Sequence, residues 1–249
     1  MPIWLQAGLW GLLAGGALVI GAIIAWLLPV PRKVVASVMA FGAGVLISAL
    51  AFDHVDEAET SGGLVPTIIG FMAGAAVYVG ATVVLARHGA RHRKRSGDEQ
   101  PSESQQEGSG AAIAIGALLD GIPESVVLGL SLLSGGVGVP VLAAIFISNL
   151  PEGLSSSAGM KRNGRSAAYV FGVWGGIAVA SGLAGLLGCL ILQGASAGTI
   201  AVITAIAAGA ILAMIADTMI PEAFERTHMF AGLLATTGFL VAFTISRAG

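Results

Sequence analysis

The sequence predicts an all-α integral membrane protein, a bundle of eight transmembrane helices with both termini on the extracytoplasmic side. Three observations lead there. Of 249 residues, 55% are hydrophobic and only 10% charged, and the mean hydropathy is +0.88. A water-soluble domain carries about 25% charged residues, because its surface faces water. Here many of the few charges crowd into Arg87–Glu107, and the rest cannot cover a soluble globule. Next, the apolar residues fall in runs of about 20, the length a helix needs to cross roughly 30 Å of hydrocarbon. The ten-residue alternation of a membrane barrel is missing. Finally, threading those runs through a bilayer puts 11 of the 12 Lys and Arg on one side.

The first run, 3–28, is too long for a signal-peptide core and has no basic leader, so it reads as a retained span. Pro29-Val-Pro31 ends it, and Arg32 and Lys33 follow. Span two covers 34–54; span three, 63–87, begins after the turn Ser61-Gly-Gly63. Spans four and five, 110–134 and 138–159, are separated by Ser134-Gly-Gly-Val-Gly138. Spans six, seven and eight cover 166–193, 197–220 and 229–247. Many of the 37 glycines lie inside these runs, as expected where helices pack closely in lipid. The one long connection, 88–109, opens with Arg91, Arg93, Lys94 and Arg95 and closes in Ser, Glu, Gln and Gly. Its composition cannot bury a core, so disorder is expected there. The chain therefore divides into 1–87 (spans one to three), 88–109 (a disordered cytoplasmic loop) and 110–249 (spans four to eight). Basic residues follow spans one, three, five and seven, which makes those exits cytoplasmic by the positive-inside rule.

With the loops set aside, four acids remain within apolar runs: Asp120 and Glu124 in span four, Glu152 in span five and Asp217 in span seven. Each costs on the order of 2.5–3.5 kcal/mol at mid-bilayer even on a lenient insertion scale. No Lys or Arg is expected at matching depth to neutralise them, so the acids call for protons or a bound cation. Their surroundings repeat: Asp120-Gly-Ile-Pro-Glu124, Ser148-Asn-Leu-Pro-Glu152 and Asp217-Thr-Met-Ile-Pro-Glu222. Each proline removes a helical hydrogen bond and frees a carbonyl four residues back, near Leu119 and Ile147. Asp120 and Glu124 are four apart and share one helix face, as do Ser148 and Glu152. Two kinked helices would thus offer oxygen ligands to one mid-membrane point. The candidate metal ligands are Asp120, Glu124, Ser148, Asn149, Glu152 and Asp217.

At these residues the sequence resembles the ZIP family of divalent-metal transporters. Pro123-Glu124 and Pro151-Glu152-Gly153 match the family's proline–glutamate motifs in spans four and five, and the span count, outward termini and long loop after span three are similar. The resemblance implies a transport site between these helices with Glu124 and Glu152 as shared ligands. The family's span-four histidine is Asp120 here and the residue after it Gly121; the span-five histidine is Ser148, followed by Asn149. Neutral imidazole suits zinc, whereas carboxylate and carbonyl suit harder ions. The resemblance implies Zn²⁺ or Fe²⁺, and the ligand set leans toward Mn²⁺ or Fe²⁺. It also implies a metal-collecting mouth at Asp53, His54, Asp56 and Glu57, and an exit-side acidic pair at Asp217 and Glu222, near His228. His88 and His92 echo the family's His-rich loops, although the loop's basic run favours contact with lipid headgroups. Ser155, Ser156 and Ser157 read as polar lining or as small packing residues.

The expected function is inward transport of a divalent transition-metal cation by alternating access in the cell (inner) membrane. The alternative is a metal-binding relative that acts as a sensor or structural partner without transport. No enzyme activity is expected. An intramembrane aspartyl dyad of Asp120 and Asp217 lacks the Gly-x-Gly-Asp signature, and no phosphate-binding loop, haem or flavin signature occurs. The single Cys189 excludes a disulfide framework or a Cys-based zinc site. No permanently bound cofactor and no nucleic-acid partner are expected. The partners are the cation and the bilayer, and close-packed glycine faces permit a homodimer.

Overall fold

The computed structural model describes residues 1–133 and 138–248. It holds eight helices long and apolar enough to cross a membrane: α1 (Ile3–Leu27), α2 (Arg32–Gly62), α3 (Leu64–Ala86), α4 (Ser109–Leu133), α5 (Val139–Arg162), α6 (Ala167–Leu192), α7 (Ala197–Thr227) and α8 (Phe230–Ala248). Among the described residues there is no strand. The chain is a multi-pass helical membrane protein. The glycine-rich turn expected between spans four and five falls largely on 134–137, outside the described residues.

Two helices outrun their apolar stretches. Helices α2 and α7 each run 31 residues, and each widens once into a π turn, at Leu50–Val55 and at Ile215–Met219. Hydropathy closes span two near residue 54, but Asp56, Glu57 and Glu59 continue the same helix. Hydropathy marks the apolar stretch, whereas the helix continues for as long as its backbone can be satisfied. π turns are rare inside helices and concentrate at functional sites.

The helices form two groups. In one, α1 packs along α5 and α6, and α6 along α4; in the other, α2 packs along α8 and α7, and α3 along α7. Contacts of α2 with α5 and of α4 with α7 join the groups. Between apolar helices in lipid, close van der Waals approach replaces a hydrophobic driving force. Glycines provide it in reciprocal pairs. A methyl on Gly21 would meet the Leu150 carbonyl across α1 and α5, and one on Gly153 would meet the Leu18 carbonyl. Gly44 and Gly238 do the same for α2 and α8. Each group has its own core: Met39, Tyr78, Ile211 and Met214 in the second, Leu18, Ile113, Met160 and Trp174 in the first. Helices α3 and α8 bury least and present Leu64, Val65, Ile68, Leu233 and Leu240 outward.

The segment between α3 and α4 departs from expectation. It turns at Gly89, whose φ of +95° is a left-handed conformation that favours glycine, and runs through the short 3-10 turn Ala90–His92. From there it enters the bundle, and Arg93, Lys94, Ser96 and Gln100 are buried. Its far end is pinned as well. Glu103 accepts from the backbone N–H of Gly108 and Gly110 and from Arg165, and Tyr169 donates to the Gly110 carbonyl. Disorder was expected because the composition cannot build its own core; instead, the loop uses the core of the bundle.

Candidate functional site

The loop's destination is the acid cluster. Asp120, on the proline-containing helix α4, is 3% exposed. Arg93 grips it as a fork, Nε donating to Oδ2 at 2.9 Å and Nη2 to Oδ1 at 2.8 Å. Tyr78 of α3 donates its phenol to Oδ1 at 2.6 Å and accepts from Arg93 Nη2, also at 2.6 Å. Both groups are fully inside the protein, where such a bidentate, charge-assisted pair is strongest. Lys94 reaches further: its Nζ lies 2.7 Å from Glu152 Oε2 and 3.4 Å from Asp120 Oδ2. Both are ion pairs, the one to Glu152 the shorter.

Glu124 stands one helical turn along α4 from Asp120 and is also buried. The charges that act on it are those of Glu152, Lys94 and Asp120. Glu124 Oε1 and Glu152 Oε1 have no hydrogen-bond partner, although both are sealed from solvent. An orphaned carboxylate oxygen at this depth costs on the order of 1–3 kcal/mol, more when charged. Three carboxyl groups thus face two basic side chains, with acceptor capacity left over.

The expectation that no Lys or Arg stands at the depth of these acids is therefore corrected. None comes from the helices, but Arg93 and Lys94 come from the loop. Sequence order hides this, because the basic run reads as a solvated loop and its partners lie on α4 and α5. Among the described residues, no three His, Cys, Asp or Glu converge as a ready ligand set. Lys94 Nζ spans the gap between Asp120 and Glu152.

The other predicted residues take varied places. Ser148 donates to the Ile145 carbonyl of its own helix, and Asn149 donates its amide to the Ala14 carbonyl of α1. Both are buried one turn before Glu152. Asp217 does not join the cluster. It sits in the π turn of α7, exposed, at the edge of a cavity of about 210 Å³ that Arg91, His92, Lys94, Arg95, Thr218 and Pro221 also line. Burial, with the charges of Arg95 and Arg91, holds the His92 imidazole below its ordinary value. Glu222 is buried and acts as an anchor, accepting from Ser96 N at 3.1 Å and Ser96 Oγ at 2.5 Å, with Ser155 Oγ 3.1 Å away. In the expected mouth, Asp53 accepts from Ser246 at 2.6 Å, and His54 is buried within the π turn of α2. His88 and His228 lie on the exposed surface.

Several functional contacts escaped sequence reasoning. Ser155 and Ser156 donate to the loop's Lys94 and Arg93 carbonyls, at 2.7 and 2.5 Å. Gln100 Nε2 gathers the carbonyls of Arg93, Arg95 and Ser156. Gly116 and Gly159 leave space for the chain to pass: a methyl on the first would press on Arg93, and one on the second on the Arg95 carbonyl and Gln100. The run Ser155-Ser-Ser157 was the available signal. Three small hydroxyls buried next to a glutamate can serve a polar backbone as readily as an ion.

In sequence comparison, no family model matches the chain and no curated protein matches it.

Proposed function

We propose that this protein is a ZIP-like carrier that moves a divalent transition-metal cation into the cytoplasm through the Asp120–Glu124–Glu152 cluster, both termini facing outward. One observation carries the reading. The helices bury three carboxyl groups, Asp120, Glu124 and Glu152, around the same pair of basic side chains without closing them into a ready ligand set, and the positive charge paired with Asp120 and Glu152 arrives on a loop. A permanent structural ion pair needs only one acid per base, and a buried pair is seldom a gain over apolar packing. An acid-rich site with unpartnered oxygens, closed by a separable cationic segment, suits a cargo that comes and goes. Oxygen donors favour Mn²⁺ or Fe²⁺ over Zn²⁺, and Ser148 and Asn149 stand one turn away as further oxygen donors. The two helix groups give alternating access a structural basis, one group moving against the other around a mid-membrane site.

Uptake of Mn²⁺, Fe²⁺, Zn²⁺, Cd²⁺ and Mg²⁺ into proteoliposomes tests this. Flux of a transition metal that Glu152→Ala abolishes is the expected result. The second reading, a metal-binding sensor or structural partner, is favoured by the internal neutralisation of Asp120 and Glu152. It is distinguished by binding without flux.

A further inference from the structure

A lysine that stands between carboxylates of two helices performs the job of a cation while remaining part of the chain. We infer that Lys94 is a tethered competitor of the transported cation: the docked loop holds its ammonium in the cation site and plugs the cytoplasmic side, and an arriving divalent cation displaces it. The inference rests on the carrier reading of the same cluster.

The geometry of the plug supports displacement. Lys94 Nζ contacts Glu152 at 2.7 Å and Asp120 at 3.4 Å, a single ammonium shared between carboxylates of two helices and held by no fork like that of Arg93. One positive charge leaves Glu124 Oε1 and Glu152 Oε1 unpartnered, whereas a divalent ion can take several carboxylate oxygens at once. The loop itself is held at separate points by groups that water can replace. Ser155 and Ser156 bind its carbonyls, Glu222 binds Ser96, and Arg95 donates to the Pro221 carbonyl and Glu225, at 2.9 and 2.6 Å. Arg93, locked by its fork on Asp120 and by Tyr78, is the firmer hold. Lys94 is the looser one, and it is the one at the junction of the two helices.

Competition sets the size of the effect. A ligand that binds only the undocked state has its affinity reduced by that state's fractional population. If the docked loop holds about nine-tenths of the molecules or more, removing Lys94 tightens apparent binding by about tenfold or more. The experiment titrates Mn²⁺ alone into the full chain in nanodiscs, for wild type, Lys94→Gln and Glu152→Gln. Hydrogen–deuterium exchange of peptides covering 91–100 is followed with and without saturating Mn²⁺. Tighter binding in Lys94→Gln, loss of binding in Glu152→Gln, and faster loop exchange in metal-loaded wild type are expected.

Equal affinity of wild type and Lys94→Gln, or loop exchange unchanged by metal, overturns the tethered competitor and leaves the carrier reading standing. The exchange arm matters because removing a positive charge alone can raise cation affinity without any displacement. Mn²⁺ binding by none of the folded variants overturns both. Should Lys94→Gln misfold, Ser156→Ala loosens the plug at the Arg93 carbonyl without touching an acid. It is expected to shift affinity in the same direction, and no shift there counts equally against the inference.

Discussion

Lys94 Nζ lies 2.7 Å from Glu152 Oε2, joining a lysine of the α3–α4 loop to a carboxylate near the middle of helix α5. Glu152 has Lys94 as its closest counter-ion, and Lys94 has Asp120 as a second, more distant one at 3.4 Å. The positive groups that act on Glu152 are Lys94 and Arg93, and both come from the loop. Isolated in a low-dielectric interior, each would cost several kcal/mol. Together they make the loop part of the membrane bundle, and they explain why an acidic helix pair is stable without a basic residue in any neighbouring span.

The firmest part of this arrangement is the Tyr78–Arg93–Asp120 triad. Arg93→Ala leaves Asp120 buried without its fork and is expected to destabilise the protein by about 3–5 kcal/mol. Tyr78→Phe removes one hydrogen bond to the carboxylate and is expected to cost about 1–3 kcal/mol. Replacing both partners, as Arg93→Met with Asp120→Leu, restores most of the loss because no unpaired charge remains. Unfolding titrations in mixed detergent micelles measure all three. Equal losses for Arg93→Ala and the double variant contradict the pairing.

Docking of the loop depends on Gly159. An added methyl there would overlap the Arg95 carbonyl and the Gln100 amide. Gly159→Ala is expected to weaken docking by about 1–3 kcal/mol, the usual cost of overfilling a packed contact. Trypsin reads this directly, since cleavage after Arg93, Lys94 or Arg95 requires the segment to leave the bundle. Cleavage of an open form tracks its population, so the variant should be cut about tenfold faster or more. An unchanged rate contradicts the docked loop.

The far anchor gives a pH signature outside the membrane. The Arg165 guanidinium first, and then the N–H groups of Gly108 and Gly110, hold the Glu103 carboxyl down to about 2 from its ordinary 4.5. A carboxylate depressed in the folded state contributes stability that is fully present above the unfolded value of 4.5 and is lost as pH falls through about 2. The contact therefore persists at pH 7 and fades only in strong acid. A carbon-13 titration of the Glu103 carboxyl should give a midpoint near 2, moving up toward 4.5 in Arg165→Gln. A wild-type midpoint already at 4.5 excludes the anchor.

The eight spans were legible because hydropathy and the basic residues at alternate exits report directly on how a chain meets lipid. The convergence of Asp120 with Glu152 was legible too, since a repeated proline–glutamate motif on consecutive spans places acids at one depth. The loop was not. Arg93 and Lys94 sit in a polar stretch whose composition is that of a solvated tail, and nothing local identifies partners on α4 and α5. The deficit was visible, but buried acids without bases read as a call for protons or a bound cation, and the basic run Arg91–Arg95 read as a contact for lipid headgroups. Asp217 shows the opposite failure. Its motif resembles the other two, but it falls in a π turn and ends at an exposed edge.

The central claim is that this acid cluster binds and passes a divalent cation. Proteoliposomes holding wild type or Glu152→Ala, offered Mn²⁺ and Fe²⁺ separately and monitored by an internal metal-sensitive dye, test it most directly. Metal-specific flux in wild type that falls to the level of empty liposomes in Glu152→Ala is the expected result; equal flux in both, or none in either from folded protein, contradicts the claim.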